Sequence, residues 1–137
     1  MLIALDSDVI IAALSPKEEH SSNAQQLIRN VADGKYKVVV SSLVYGEVLS
    51  VSTGSQELDL EDFMLHIKNI SAVAADDGIC LKAGKLRLEY GSSLRLPDAI
   101  HLVTAIDNHA DLFVTNDIKL AKLSKKLIPT KLLSEWD

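Results

Sequence analysis

Short apolar runs alternate with longer segments of helical spacing along this chain. Residues 2–5, 38–40 and 112–114 form apolar runs bounded by polar or turn residues, and residues 71–75 form a weaker fourth. Such runs are typical of strands buried on both faces of a sheet. Helical spacing predicts helices over 21–32, 42–52, 58–70, 78–90 and 97–108. The alternation predicts an α/β fold, with a central parallel sheet flanked by helices on both faces and joined by right-handed crossovers.

The size and composition of the chain predict one compact domain over residues 1–137. The chain has 137 residues, of which 47% are hydrophobic and 24% are charged, as in ordinary globular domains. Cys80 is the single cysteine, which excludes an internal disulfide and is compatible with a reducing compartment. Asp6 and Asp8 interrupt the apolar N-terminal stretch, which argues against a signal peptide, and no segment has the composition of a membrane span. We therefore expect a cytoplasmic protein without membrane contact.

The charge balance restricts the kind of nucleic-acid protein that this chain can be. A formal net charge of −5 argues against non-specific coverage of nucleic acid, because phosphate contacts need Lys and Arg. The aromatic content of 4% leaves few rings on which bases could stack. An enzyme that acts on nucleic acid is still allowed, since an acidic metal site contributes negative charge that its cation partly cancels.

Acidic and polar side chains follow two of the predicted strands. Asp6 and Asp8 come directly after the first strand, and Thr115, Asn116 and Asp117 come directly after the strand at 112–114. Ligands of open α/β sheets bind beyond the carboxyl ends of the strands. We therefore expect both groups to lie on one rim of the sheet.

Each of these acids also has a purely structural interpretation. Asp6, Asp8 and Asp117 could cap helices, because Asp at a helix start accepts from free amides and complements the dipole. Asp98 follows Pro97, a common residue of the first helical turn, where a carboxylate is also favourable. Taken singly, none of the four identifies a site.

Glu47 is harder to explain by local structure. It lies four residues from both Leu43 and Val51 in the predicted helix, so apolar residues line its face. A buried carboxylate needs a partner. No Lys or Arg occurs between Lys37 and Lys68, so we interpret a metal ion as its partner.

An acidic set of this kind suits a hard divalent cation such as Mg²⁺, which prefers oxygen ligands and binds some of them through water. In phosphodiester hydrolysis the cation orients the phosphate and generates hydroxide at neutral pH, so no Ser-His-Asp set is required. The histidines show neither zinc-finger nor zincin spacing, which argues against zinc. We interpret His101, one turn after Asp98, as a packed or hydrogen-bonded helix residue rather than a ligand.

Four segments together resemble the PIN-domain family, and in particular its small VapC-like ribonuclease toxins. They are LDSDVI at residues 5–10, the Ser-containing helix with Glu47, LPDAIH at 96–101 and VTND at 114–117. Their order and spacing cover nearly the whole chain. The resemblance implies a single PIN-like domain.

The resemblance also implies a set of roles. The acidic quartet that binds Mg²⁺ or Mn²⁺ would be Asp6, Glu47, Asp98 and Asp117. Thr115 and Ser7 would orient these carboxylates through hydrogen bonds, with Asn116 beside them. Members of the family are endoribonucleases in which a metal-activated water attacks the RNA phosphate, and the toxins form homodimers and are silenced by a small antitoxin. Asp8 departs from the pattern, since the family more often has Asn, Ser or Thr there, and we interpret it as a helix cap rather than a fifth ligand.

Three other functions compete with this one. Residues 3–9 also read as a strand followed by Asp-x-Asp, which resembles haloacid-dehalogenase-like phosphatases, with Asp6 as nucleophile and Asp8 as acid/base. That family needs a Lys and a further acidic pair, for which residues 118–137 leave little room. A receiver-like domain would need a phosphoacceptor Asp and a Lys that are not convincingly placed. A catalytically inactive PIN-like module that binds RNA or protein is opposed by the presence of all four acids.

Basic residues near the rim are candidates for contact with the substrate. Arg95 precedes Asp98, and Lys119 and Lys122 follow Asp117. Their alternative interpretation is that of solvated helix charges. Charge reversal at Arg95 is expected to weaken RNA binding and to leave metal binding intact.

Overall fold

A parallel five-stranded sheet forms the centre of the molecule in the computed structural model, which describes residues 1–51, 61–63 and 65–137. The strands are β1 (Leu2–Leu5), β2 (Lys37–Ser41), β3 (Ile70–Val73), β4 (Leu112–Thr115) and β5 (Thr130–Leu132). Their order is β3-β2-β1-β4-β5, and each neighbouring pair is parallel. The predicted α/β fold with a parallel sheet is confirmed.

Helices connect the strands on both faces of the sheet. They are α1 (Ser7–Leu14), α2 (Ser21–Ala32), α3 (Leu43–Ser50), α4 (Asp77–Tyr90), α5 (Leu96–Asp107) and α6 (Ile118–Ser124). Two short 3-10 turns cover Gly91–Ser93 and Leu133–Glu135. Among the described residues, no helix has the length and apolar character needed to cross a membrane.

The sequence pattern located most of these elements but not all of their ends. The helix predicted over 58–70 lies in part outside the described residues. Residues 61–63 and 65–66 are helical, and its predicted end is wrong because β3 already begins at Ile70. β5 was not predicted, since its Thr-Lys-Leu sequence at the sheet edge is only half-buried and forms no apolar run.

Alternate residues of the central strands divide the core into two layers. Ile3 and Leu5 pack with α1, α2 and α3, whereas Ala4 packs with α4 and α5. This division follows from the alternation of side chains between the two faces of a strand. It explains why β1, which neighbours both β2 and β4, is apolar throughout.

The carboxyl ends of β1 and β4 meet at one rim of the sheet. Leu5 is in register with Val114, and the Asp6 amide donates to the Val114 carbonyl over 3.0 Å. Asp6 is therefore a neighbour of Thr115, the last residue of β4. The expectation that both polar groups lie on one rim is confirmed.

We expect a substitution that leaves a cavity in the core to lower the stability of the protein. Leu102 of α5 is fully buried, whereas Leu88 of α4 is 81% exposed. Leu102→Ala should lower the free energy of unfolding by about 2–5 kcal/mol, because it removes buried methyl groups and leaves a void. The matched Leu88→Ala change should stay within about 0.5 kcal/mol. Urea unfolding followed by circular dichroism measures both, and equal losses would contradict the packing described here.

Candidate active site

Asp6 is a buried carboxylate held by a bond to each of its oxygens. It caps α1, with its Oδ1 accepting from the Ser7 amide over 2.8 Å. Its Oδ2 accepts from the Thr115 hydroxyl over 2.8 Å. Burial raises the pKa of Asp6, although the nearby His101 charge and these hydrogen bonds oppose that rise. Asp6 therefore caps α1 with one oxygen and contacts the end of β4 with the other, so its interpretation as a cap does not exclude its interpretation as a site residue.

Thr115 links Asp6 to Asp117. The Asp117 amide donates to Thr115 Oγ1 over 3.1 Å, while the same hydroxyl donates to Asp6. Asp117 in turn caps α6, since its Oδ1 accepts from the amides of Lys119 and Leu120 over 2.9 and 3.1 Å. A single hydroxyl thus fixes the acids that follow β1 and β4 relative to each other.

Asp8 does not cap a helix, so that interpretation is wrong. Its Oδ2 accepts from the Asn116 amide over 3.0 Å and lies 3.3 Å from the Thr115 hydroxyl, on the loop that follows β4. Its Oδ1 is buried and has no hydrogen-bond partner in the described part of the chain. Burial and the charge of Asp6 raise the pKa of Asp8 to about 8. Asp8 therefore links the start of α1 to the loop after β4, and its raised pKa shows that the ionised carboxylate is disfavoured there.

The partner of Glu47 is His101. His101 is buried in α5, and its Nε2 is hydrogen-bonded to Glu47 Oε1 and lies 3.8 Å from Asp6 Oδ1. The premise that no protein side chain could pair with Glu47 is wrong, because it considered only Lys and Arg, whereas a metal bound by Glu47 stays a prediction. The interpretation of His101 as a hydrogen-bonded helix residue agrees with this contact, which the sequence separation of 54 residues concealed.

His101 lies among the acids and is coupled to three of them. Burial alone would lower its pKa, but the hydrogen bond to Glu47 and the charges of Asp6, Glu47 and Asp98 raise it. Burial would raise the pKa of Glu47, but the hydrogen bond and charge of His101 lower it. The Nδ1 atom of His101 is buried and has no hydrogen-bond partner among the described residues. The mutual pKa effects of His101 and Glu47 therefore favour an ion pair between them.

Asp98 lies in the first turn of α5, half-buried beside Arg95. The Arg95 Nε atom is 3.7 Å from Asp98 Oδ2. Burial and the charge of Asp6, with a smaller contribution from Asp117, raise the pKa of Asp98 to about 6, against the lowering effect of Arg95 and His101. Asp98 is thus within electrostatic reach of two other acids of the predicted quartet.

The donor set fits a hard divalent cation in its chemistry. Several carboxylates offer the oxygen ligands that Mg²⁺ or Mn²⁺ prefers, and the pKa values of Asp6 and Asp98 among them are raised, chiefly by burial. In the described residues, however, no three Asp, Glu, His or Cys side chains lie close enough together to hold one ion. Since Mg²⁺ usually takes only one or two carboxylates directly and reaches others through water, the separation does not conflict with such a site.

The predicted basic residues line a cavity beside these acids. The cavity has a volume of about 500 Å³, and its walls include Arg95, Lys119, Lys122, Asp98 and Asp117. Because Arg95 forms an ion pair with Asp98, a charge reversal there would disturb a carboxylate of the cluster. The expectation that charge reversal at Arg95 leaves metal binding intact stays a prediction, and the ion pair with Asp98 argues against it.

The fold and the acidic rim define a family of proteins. A model of the PIN domain matches residues 3–126, and the chain belongs to the PIN-domain family. No curated protein matches its sequence. This membership removes the phosphatase and receiver alternatives.

Solved structures with the same fold include prokaryotic toxins. VapC20 of Mycobacterium tuberculosis, a sarcin-ricin loop cleaving toxin, matches with a TM-score of 0.75 and 13% identity, over 88% of this chain and 94% of that chain. A chain of the DNA-bound VapBC2 structure of Rickettsia felis matches with a TM-score of 0.66 and 20% identity, over 100% of both chains. A chain of a toxin-antitoxin complex from Klebsiella pneumoniae matches with a TM-score of 0.59 and 21% identity, over 84% and 86%. At these identities the likeness concerns the fold.

We expect Asp8→Asn to stabilise the metal-free protein. Asp8 is buried next to Asp6, which raises its pKa to about 8. Ionisation of Asp8 therefore costs nothing below about pH 4, where the carboxyl is neutral in both states, and lowers the free energy of unfolding progressively as the pH rises towards about 8. The side-chain amide of this variant still offers an oxygen that accepts from the Asn116 backbone amide, but it carries no charge. In EDTA near pH 8 the melting temperature should rise by about 3 °C or more for a gain of about 1 kcal/mol, and the gain should vanish near pH 4.

Asp77→Asn is the matched control for this experiment. Asp77 is an exposed acid in the first turn of α4, so its substitution changes the charge equally without relieving burial. Its melting temperature should be unchanged or slightly lower at both pH values. A lower melting temperature for Asp8→Asn near pH 8 would mean that the carboxylate stabilises the rim.

Proposed function

We propose that this PIN-domain protein is a metal-dependent endoribonuclease that hydrolyses RNA phosphodiester bonds. One observation carries the proposal: four acids from separate segments of the chain are gathered at one rim of the sheet. They are Asp6 after β1, Glu47 in α3, Asp98 in α5 and Asp117 after β4. Each of these acids is coupled by charge or by a hydrogen bond to another member of the group or to His101. Perturbed carboxylates in such a cluster are typical of sites with a chemical function.

Mg²⁺ or Mn²⁺ held by these four carboxylates, some through water, would neutralise charge on the phosphate and supply hydroxide at neutral pH. The protein's own contribution is to hold the ligands in place. Thr115 and the Ser7 amide fix the two oxygens of Asp6, and His101 fixes Glu47. Asn116 and Asp8 tie the connection after β4 to α1. Preorganised carboxylates need little rearrangement when cation and substrate arrive.

The biological role that we propose is that of a toxin silenced by a small antitoxin. Support comes from the shared fold with VapC20 and with chains of toxin-antitoxin complexes. The reading frame next to the gene is where the antitoxin should be sought. A homodimer in the cytoplasm stays a prediction, which the mass of the purified protein in solution would test.

Divalent metal should stabilise the protein through the acidic cluster. Mg²⁺ or Mn²⁺ at ten times its dissociation constant contributes about 1.4 kcal/mol, or roughly 4 °C in melting temperature for a domain of this size. In Asp98→Asn this increase should be much smaller, because a ligand and part of the repulsion are lost. Asp77→Asn should keep the full increase. An undiminished increase in Asp98→Asn would place the metal elsewhere.

RNA cleavage should require both the metal and Asp6. We expect Asp6→Asn to lower the rate of cleavage by more than about a hundredfold, beyond the usual loss for an outer-shell partner. The rate is measured on labelled RNA with Mn²⁺ and with EDTA, and Asp77→Asn again serves as the control. Cleavage that persists in EDTA would refute the mechanism. Metal binding without any cleavage would instead indicate the catalytically inactive RNA- or protein-binding module.

A further inference from the structure

Three lysines form a row that leads away from the acidic rim. Lys119, Lys122 and Lys126 are spaced by three and four residues, which places them on one side of α6 and the turn that follows it. All three are exposed and line the same cavity as Asp98 and Asp117. Lys119 and Lys122 lie in α6, and Lys126 lies in the turn that follows it.

No ion pair joins these lysines to another described residue. In the part of the chain that the structure describes, Lys82 and Arg95 form ion pairs with Asp107 and Asp98, and none is found for the three lysines. The chain as a whole carries a net charge of −5, so their grouping around one cavity is not a consequence of a basic composition. Their charges are available to an anion from outside.

The cavity has the size and walls of a binding site. Its volume of about 500 Å³ is within the range of ligand pockets but too small for a double helix. The end of α4 and the 3-10 turn at Gly91–Ser93 also line it, through Tyr90, Ser92 and Ser93. These side chains offer one ring and three hydroxyls to a sugar or base, while the lysines offer charge to phosphates.

We propose that single-stranded RNA lies in this cavity, with the phosphates that neighbour the cleaved one on Lys119, Lys122 and Lys126. Several cations along one wall of a cavity suit successive phosphates of a single strand, since each phosphate carries one negative charge. The strand then approaches Asp98 and Asp117 from the side of α6. This inference rests on the proposed ribonuclease function, because it takes these acids as the place of cleavage. An acidic peptide is the competing occupant.

The test compares two neighbouring lysines. Lys125 is exposed like Lys126 but does not line the cavity, so Lys125→Gln and Lys126→Gln remove equal charge one residue apart. Both changes are made in an Asp6→Asn background, so that the RNA survives in Mg²⁺. Binding of a short fluorescein-labelled single-stranded RNA is followed by anisotropy over a range of KCl concentrations. Circular dichroism confirms that both variants are folded.

Lys126→Gln should make the negative slope of log K against log salt less steep by about 0.7, the value for one phosphate contact of a single strand. Lys125→Gln should leave the slope unchanged. Equal slopes for the two variants would overturn the proposal. So would a loss of polyglutamate binding in Lys126→Gln as large as its loss of RNA binding, since the surface would then be a general anion patch.

The outcome is separable from that of the proposed function. If the wild-type protein cleaves RNA and Asp6→Asn does not, but Lys126→Gln behaves like Lys125→Gln, only the path of the RNA is wrong. If the slope falls in Lys126→Gln alone while the wild-type protein cleaves no RNA in Mn²⁺, the lysine row is a strand-binding surface and the proposed chemistry fails.

Discussion

The parallel pairing of β1 with β4 is the contact on which the rest of this site depends. Leu5 lies in register with Val114, so the residues that follow each strand leave the sheet together. Asp6 and Thr115 become neighbours although 109 residues separate them in sequence. Because parallel strands present their carboxyl ends at the same rim, a shift in this pairing would separate every acid that follows β1 from those that follow β4.

The rim gathers carboxylates at a cost in stability that the protein only partly offsets. The pKa values of Asp6, Asp8 and Asp98 are raised, because water is excluded and other carboxylates are close. His101 and the Thr115 hydroxyl compensate some of this cost. Among the described residues, a buried oxygen of Asp8 and a buried nitrogen of His101 have no hydrogen-bond partner. Violations of this kind are expected at functional sites, in agreement with the function that we propose for the rim.

The distribution of charge matters more here than its sum. The negative total reflects acids spread over the surface together with those at the rim, while lysines line the cavity that opens next to the rim. In the function that we propose, the acids would hold a cation and the lysines would bind phosphates of the same substrate. The net charge argues against non-specific coverage of nucleic acid, whereas the lysines around one cavity favour contact with it at that place.

The sequence by itself determined the α/β alternation, the strand-end positions of Asp6 and Asp117 and the caps that these residues form, because strand and helix patterns and caps depend on near neighbours in the chain. Only the tertiary structure decided which side chain meets Glu47, where the Asp8 carboxylate points and that Lys126 shares a cavity with Asp98. β5 also belongs here, since a short edge strand is defined by its pairing with β4. These contacts arise from register and packing between distant segments, which local sequence patterns do not encode.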